Sequence, residues 1–180
     1  MGVAVAGLVL ILRAAAGSDL PAAPAIGLGL LALPVLPSLE FFFAYPLRLV
    51  SATITAGLLR MNGLNVGVDG VALVWNGERL LFDAACAGIK MMWAALVLVS
   101  AIALASRFTP VRYARALSLA VALTIAANAL RAASLFYLEN DFVPQLGGSL
   151  AHEAVGIAAF AMVAIVLVAL AHPSRARLPA

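Results

Sequence analysis

Along most of this chain apolar residues come in long blocks parted by short polar stretches, without alternation. The length scale for such blocks is the bilayer, which a helix crosses in roughly 20 residues. The first block runs from Met1 to Ala16, with Arg13 near its far end. A secretory leader carries its positive charge ahead of the apolar core, so the reverse order reads as a short membrane helix. A turn containing Ser18, Asp19, Pro21 and Pro24 follows, and Ala25 to about Ala44 is a second span, interrupted by Pro34 and Pro37. Such prolines are tolerated where neighbouring helices satisfy the released backbone groups. From Pro46 to Met61 the apolar character is diluted by Arg48, Ser51, Thr53, Thr55 and Arg60. This segment reads as an amphipathic helix lying in the interface, with a sixth span as the alternative.

The pattern changes between Asn62 and Phe82. Asp69-Gly70 and Asn76-Gly77 are dipeptides that close two-residue hairpins, and Val71 to Trp75 between them is a strand-like run. A small antiparallel sheet outside the bilayer core is predicted here. Three more spans follow, at Ala87 to Ala105, Ala116 to about Leu138, and Leu150 to Ala171. Ser106 to Arg115 carries Arg107, Arg112 and Arg115 with no acid, and Pro110 is expected to break the helix there. Glu139 to Ser149 carries Glu139 and Asp141 with no Lys or Arg. The expected architecture is an all-α integral membrane protein, a single domain over 1–180. It has about five transmembrane helices (alternatively six), an interfacial helix and an extracytoplasmic hairpin segment over 62–82.

Composition supports the membrane assignment. Of 180 residues, 65% are hydrophobic and 11% charged, and the mean hydropathy is +1.11. A soluble domain would carry about 25% charged residues. The net charge of +3 does not point to nucleic acid, because the basic residues are scattered and not gathered among aromatics. They act as topology signals. The positive-inside rule puts 106–115 and the C-terminal tail in the cytoplasm, and 62–83 and 139–149 outside. With five spans the cytoplasmic positions hold Arg13, Arg107, Arg112, Arg115, Arg175 and Arg177 against the single acid Asp19. The expected location is the cell membrane, multi-pass.

That orientation brings candidate chemistry to one level. Cys86, the only cysteine, opens the third span at its outer end. Asp83 is a candidate N-cap, which would put Cys86 in the first helical turn, where the macrodipole favours a thiolate. Lys90 then lies one turn on, on the same face. Arg131 falls in the outer part of the fourth span, with Asn128 one turn earlier on the same face. His152 begins the fifth span, where a neutral imidazole would suit a general base. Gly156 leaves room beside it. Each residue has a plainer explanation. A cysteine packs as a small hydrophobe, an arginine about 10 Å from the helix end snorkels to the interface, and a histidine sits in a headgroup layer. There is no Cys/His/carboxylate cluster with metal spacing, no Gly-rich phosphate loop and no nucleophile elbow, so neither metal nor cofactor is expected.

The blocks Ala85-Cys86-Ala87-Gly88-Ile89-Lys90, Asn128-Ala129-Leu130-Arg131 and His152-Glu153-Ala154-Val155-Gly156 resemble, in order and spacing, the signature blocks of the exosortase/archaeosortase family of membrane cysteine transpeptidases. Ala87 and Lys90 stand where that family usually has Ser and Arg. The resemblance covers about 62–171. It implies a secreted protein substrate with a C-terminal sorting signal, cut at the extracytoplasmic face and transferred to a lipid or glycan acceptor. It also implies the roles: Cys86 as nucleophile, His152 as general base, Arg131 as oxyanion partner, with Asn128 and Lys90 in support. Two other readings stand beside it. One is a non-enzymatic membrane subunit assisting export of surface polysaccharide or protein. The other is an intramembrane protease that only hydrolyses.

Overall fold

A computed structural model describes residues 20–34, 36–81, 88–140 and 149–171. Among them are five helices and one small sheet: α1 (Ala22–Leu31), α2 (Leu36–Met61), β1 (Gly67–Asp69), β2 (Ala72–Trp75), β3 (Glu78–Leu81), α3 (Ile89–Ala105), α4 (Pro110–Glu139) and α5 (Ser149–Ala171). The first predicted span, Met1 to Ala16, lies outside the described residues. So do Asp83, Cys86, residues 141–148 and those beyond Ala171.

Three helices, α2, α4 and α5, are long and apolar enough to cross a membrane, while α1 and α3 are shorter apolar helices. Large side chains such as Phe41, Ile157 and Ile165 are mostly exposed on the helices, which only a lipid surround makes favourable. The protein is a mostly helical, multi-pass membrane protein.

The N-terminal half departs from expectation. The predicted span from Ala25 to Ala44 is divided around Ala32 to Pro34, and the predicted interfacial helix from Pro46 to Met61 is not a separate element. Residues Leu36 to Met61 form one helix of 26 residues that runs through Pro46. Pro37 falls in its first turn, where a missing N–H costs nothing. The buried residues of α2 are Ser51, Ala52, Thr55, Ala56 and Leu59, a helical stripe that packs on α4. The polar residues that suggested a water-facing side are partly on that stripe. Thr55 Oγ1 donates to the Ala129 carbonyl at 3.3 Å, and Ser51 Oγ accepts from Asn128 Nδ2 at 3.0 Å.

The expected break at Pro110 is instead a helix start. Thr109 is the N-cap, its hydroxyl accepting from the Arg112 N–H at 3.4 Å, and Pro110 takes the first helical position. Arg112 and Arg115 are therefore on α4 and not in a loop.

The sheet is an antiparallel meander in the order β1-β2-β3. Trp75 pairs with Glu78, so Asn76 and Gly77 are the two loop residues. Their φ values of 50° and 83° are what a type I′ turn requires. Asp69 pairs with Ala72, which puts the other hairpin loop at Gly70-Val71, one residue beyond the expected dipeptide. The sheet covers the C-terminal ends of α2 and α4 through a cluster that includes Leu59, Val66, Leu73 and Phe136, with Trp75 edge-on to Phe136 at 5.3 Å between centroids.

The main core joins α3, α4 and α5. Ala95, Val99 and Ala103 on α3 meet Ala159, Val163 and Leu167 on α5 around Ala120 and Ala127 of α4. Small side chains let the backbones approach, and van der Waals packing is the main attraction available between apolar helices in lipid. Ser100 Oγ and Tyr113 Oη add a buried hydrogen bond of 2.8 Å between α3 and α4.

Candidate active site

Helices α4 and α5 follow one another in the chain and pack side by side, so the C-terminal part of α4 lies beside the first turn of α5. Arg131 and His152 come together there. Arg131 Nη2 and His152 Nε2 are 2.9 Å apart. A guanidinium can only donate, so in this contact Nε2 is the acceptor.

Gly156, one turn after His152, is the floor under the guanidinium. A Cβ there would stand 3.4 Å from Arg131 Nε. Arg131 is half-buried and thus held by its surroundings.

Asn128 is turned elsewhere. It is buried, bonds to Ser51 of α2, and lies directly under Gly88: a Cβ on Gly88 would come 2.7 Å from Asn128 Cγ. Asn128 therefore ties α2, α3 and α4 together at the site's edge.

The start of α3 differs from the expected one. Its N-cap is Gly88, with φ of 69°, and the first helical residue is Ile89. A left-handed residue cannot continue an α-helix, so this helix begins after Gly88 and not at the expected cap five residues earlier; Asp83 and Cys86 lie outside the described residues. Lys90 is exposed in the first turn of α3.

These pieces surround a cavity of about 310 Å³ whose lining includes Glu40, Gly88, Lys90, Arg131, Gly156 and Phe160. Its polar groups are two cations and one carboxylate in an otherwise apolar wall, the make-up of a small-molecule or peptide site. Glu40 is a residue that the sequence reasoning missed. The signal was present: a single carboxylate inside the apolar run Leu39-Glu40-Phe41-Phe42-Phe43, where an ionisable group marks function by default. Among the described residues no group of His, Cys, Asp and Glu is arranged to hold a metal ion.

Residues 1–169 match the family described as transmembrane exosortase (Exosortase_EpsH). The chain belongs to the exosortase family. Membership implies processing of sorting signals in the membrane, and members of this exosortase family are generally transpeptidases. The match spans all three blocks noted in the sequence and also the N-terminal 61 residues that the sequence resemblance left out. Neither a curated protein nor a solved structure matches this exosortase-family chain.

Proposed function

We propose that this protein is a cysteine transpeptidase that cleaves the C-terminal sorting signal of a secreted protein at the extracytoplasmic face and transfers the product to an amine or hydroxyl on a lipid or glycan. The observation that carries the reading is the contact of His152 with Arg131, a residue that lines the same cavity as Gly88. Cys86 precedes Gly88 by two residues, so chain connectivity alone keeps the two Cα atoms within about 7.6 Å. The excess of arginine at the other end of α4 supports an extracytoplasmic site.

In this reading the Cys86 thiol passes its proton to His152 Nε2 while sulfur attacks the scissile carbonyl. The carbonyl oxygen becomes an oxyanion held by the Arg131 guanidinium, a cation on the cavity wall. Collapse expels the C-terminal peptide as an amine that takes the proton back from Nε2, leaving a thioester on Cys86. The acceptor then gives its proton to Nε2, attacks the thioester and restores the thiol. In the resting arrangement the Nε2 lone pair is engaged by Arg131. Proton transfer from the thiol therefore requires Arg131 to release it, and the developing oxyanion gives the guanidinium a better acceptor. Asn128 acts as a positioning residue through Ser51 and Gly88, and Lys90 lines the cavity.

The test is co-expression with a secreted substrate ending in a short motif, a membrane helix and a basic cluster. Mass analysis of the product separates transfer from hydrolysis. An adduct on the new C-terminus supports transpeptidation, a free carboxylate supports hydrolysis alone, and unprocessed substrate overturns the reading.

A further inference from the structure

A second cavity, of about 180 Å³, lies among the other ends of the helices, with walls that include Ile102 of α3, Arg112, Arg115 and Leu119 of α4, Leu167 of α5, and Phe108. It is remote from the candidate active site: Arg112 and Arg131 are separated by about 28 Å of helical rise along α4.

Its chemistry is amphipathic in a definite order. Arg112 and Arg115 provide the polar edge, and among the described residues none that lines it is acidic. The Arg112 guanidinium carbon stands 3.9 Å above the Phe108 ring, which holds that side chain at the wall. The positive end of the α4 macrodipole adds to the same field. Leu119 is one turn beyond Arg115, about 6 Å further along the axis, and with Ile102 and Leu167 it makes the rest of the wall apolar. Because α4 and α5 are of membrane-crossing length, a cavity at their ends falls at headgroup depth, where the abundant anion is the phosphate of a phospholipid.

We propose that this cavity binds one anionic phospholipid, its phosphate bracketed by Arg112 and Arg115 and an acyl chain against Ile102, Leu119 and Leu167. Basic pockets between helices at this level suit such headgroups. Orientation of the protein requires only that arginines lie on the correct side; it does not require two of them to converge on a cavity between three helices. Arg107, in the turn before α4 and not among the lining residues, is the internal control.

The test uses the full chain in nanodiscs of phosphatidylcholine alone or mixed equally with phosphatidylglycerol. It reads Tm, and by native mass spectrometry the lipid retained after transfer to detergent. Phosphatidylglycerol should raise Tm by about 3 °C, the scale for a ligand bound only by the folded state of a chain this size, and one molecule should be retained. Arg112→Gln/Arg115→Gln should lose both effects, and Arg107→Gln should keep both. Ala116→Leu fills the apolar wall while leaving every charge in place. It should lose the retained lipid, and it carries the test if the double variant fails to insert. Retention of phosphatidylglycerol by Ala116→Leu or by the inserted double variant, equal stabilisation by phosphatidylcholine, or the same Tm rise from inorganic phosphate would each overturn the proposal.

Discussion

Arg131 and His152, 21 residues apart in the chain, meet at 2.9 Å through Nη2 and Nε2. The cation is the donor, so the histidine lone pair that would receive a thiol proton is the one the arginine occupies. The two side chains form a unit in which each sets the state of the other.

Arg131→Lys tests that unit. Lysine keeps the charge but not the planar fork that can leave one acceptor for another at fixed geometry. The variant should insert normally and lose a hundredfold or more in processing rate, on the order of 3 kcal/mol, as for removal of one oxyanion donor. Arg107→Lys, far from the cavity, should be near neutral. Equal behaviour of the two at equal expression would make Arg131 an anchor and remove its catalytic role.

Cys86→Ala should insert and fold while unprocessed substrate accumulates, and Cys86→Ser should do the same because serine is the poorer nucleophile. Substrate and product are read by immunoblot. Substantial processing by the alanine variant excludes a covalent route.

Gly156→Ala should act on rate and not on fold. The added Cβ lies 3.4 Å from Arg131 Nε, so the flexible guanidinium gives by a few tenths of an ångström and its aim shifts. A drop of ~10-fold in processing is expected for a displacement of this size, with Tm unchanged within a degree or so. A lower Tm with unchanged rate would contradict the placement.

Gly88→Ala should do the opposite. It forces a side chain onto a φ of 69° and into Asn128, 2.7 Å from Cγ. Strain of about 1–3 kcal/mol is expected from the backbone alone, read as a fall in Tm. Adding Asn128→Ala removes the collision but not the backbone strain, so it should recover only part of the loss.

Sidedness is tested with reporter fusions. A reporter after Arg112 should behave as cytoplasmic and one near Gln145 as external. The reverse result would put the Arg131–His152 pair on the cytoplasmic side and end the case for acting on secreted proteins.

Some of this was legible in the sequence because its cause is local. Asn76-Gly77 announces a I′ turn, since both positions need positive φ. The three C-terminal helices follow from long, mainly apolar runs, and the nearness of Arg131 and His152 follows from two consecutive helices whose connecting sequence is short. Features with tertiary causes were not legible. Ser51 and Thr55 look like water-facing residues until their partners, Asn128 and the Ala129 carbonyl, are known. Asp83 looks like a cap, but Gly88 holds that place because its backbone sits against Asn128. Glu40 looks like an isolated charge, and only packing places it on the same cavity wall as Lys90 and Arg131.

The two contacts that frame the site close over very different lengths of chain. Ser51 and Asn128 are joined across 77 residues, Arg131 and His152 across 21. During synthesis the first can form once α4 is in the membrane, when α5 has not yet left the ribosome. A nascent chain at that stage has its arginine but neither the histidine nor Gly156 and Phe160, which form the α5 wall of the cavity. On the proposed mechanism the reactive pair is completed only when α5 inserts, and an unfinished copy would be inert towards secreted chains passing beside it.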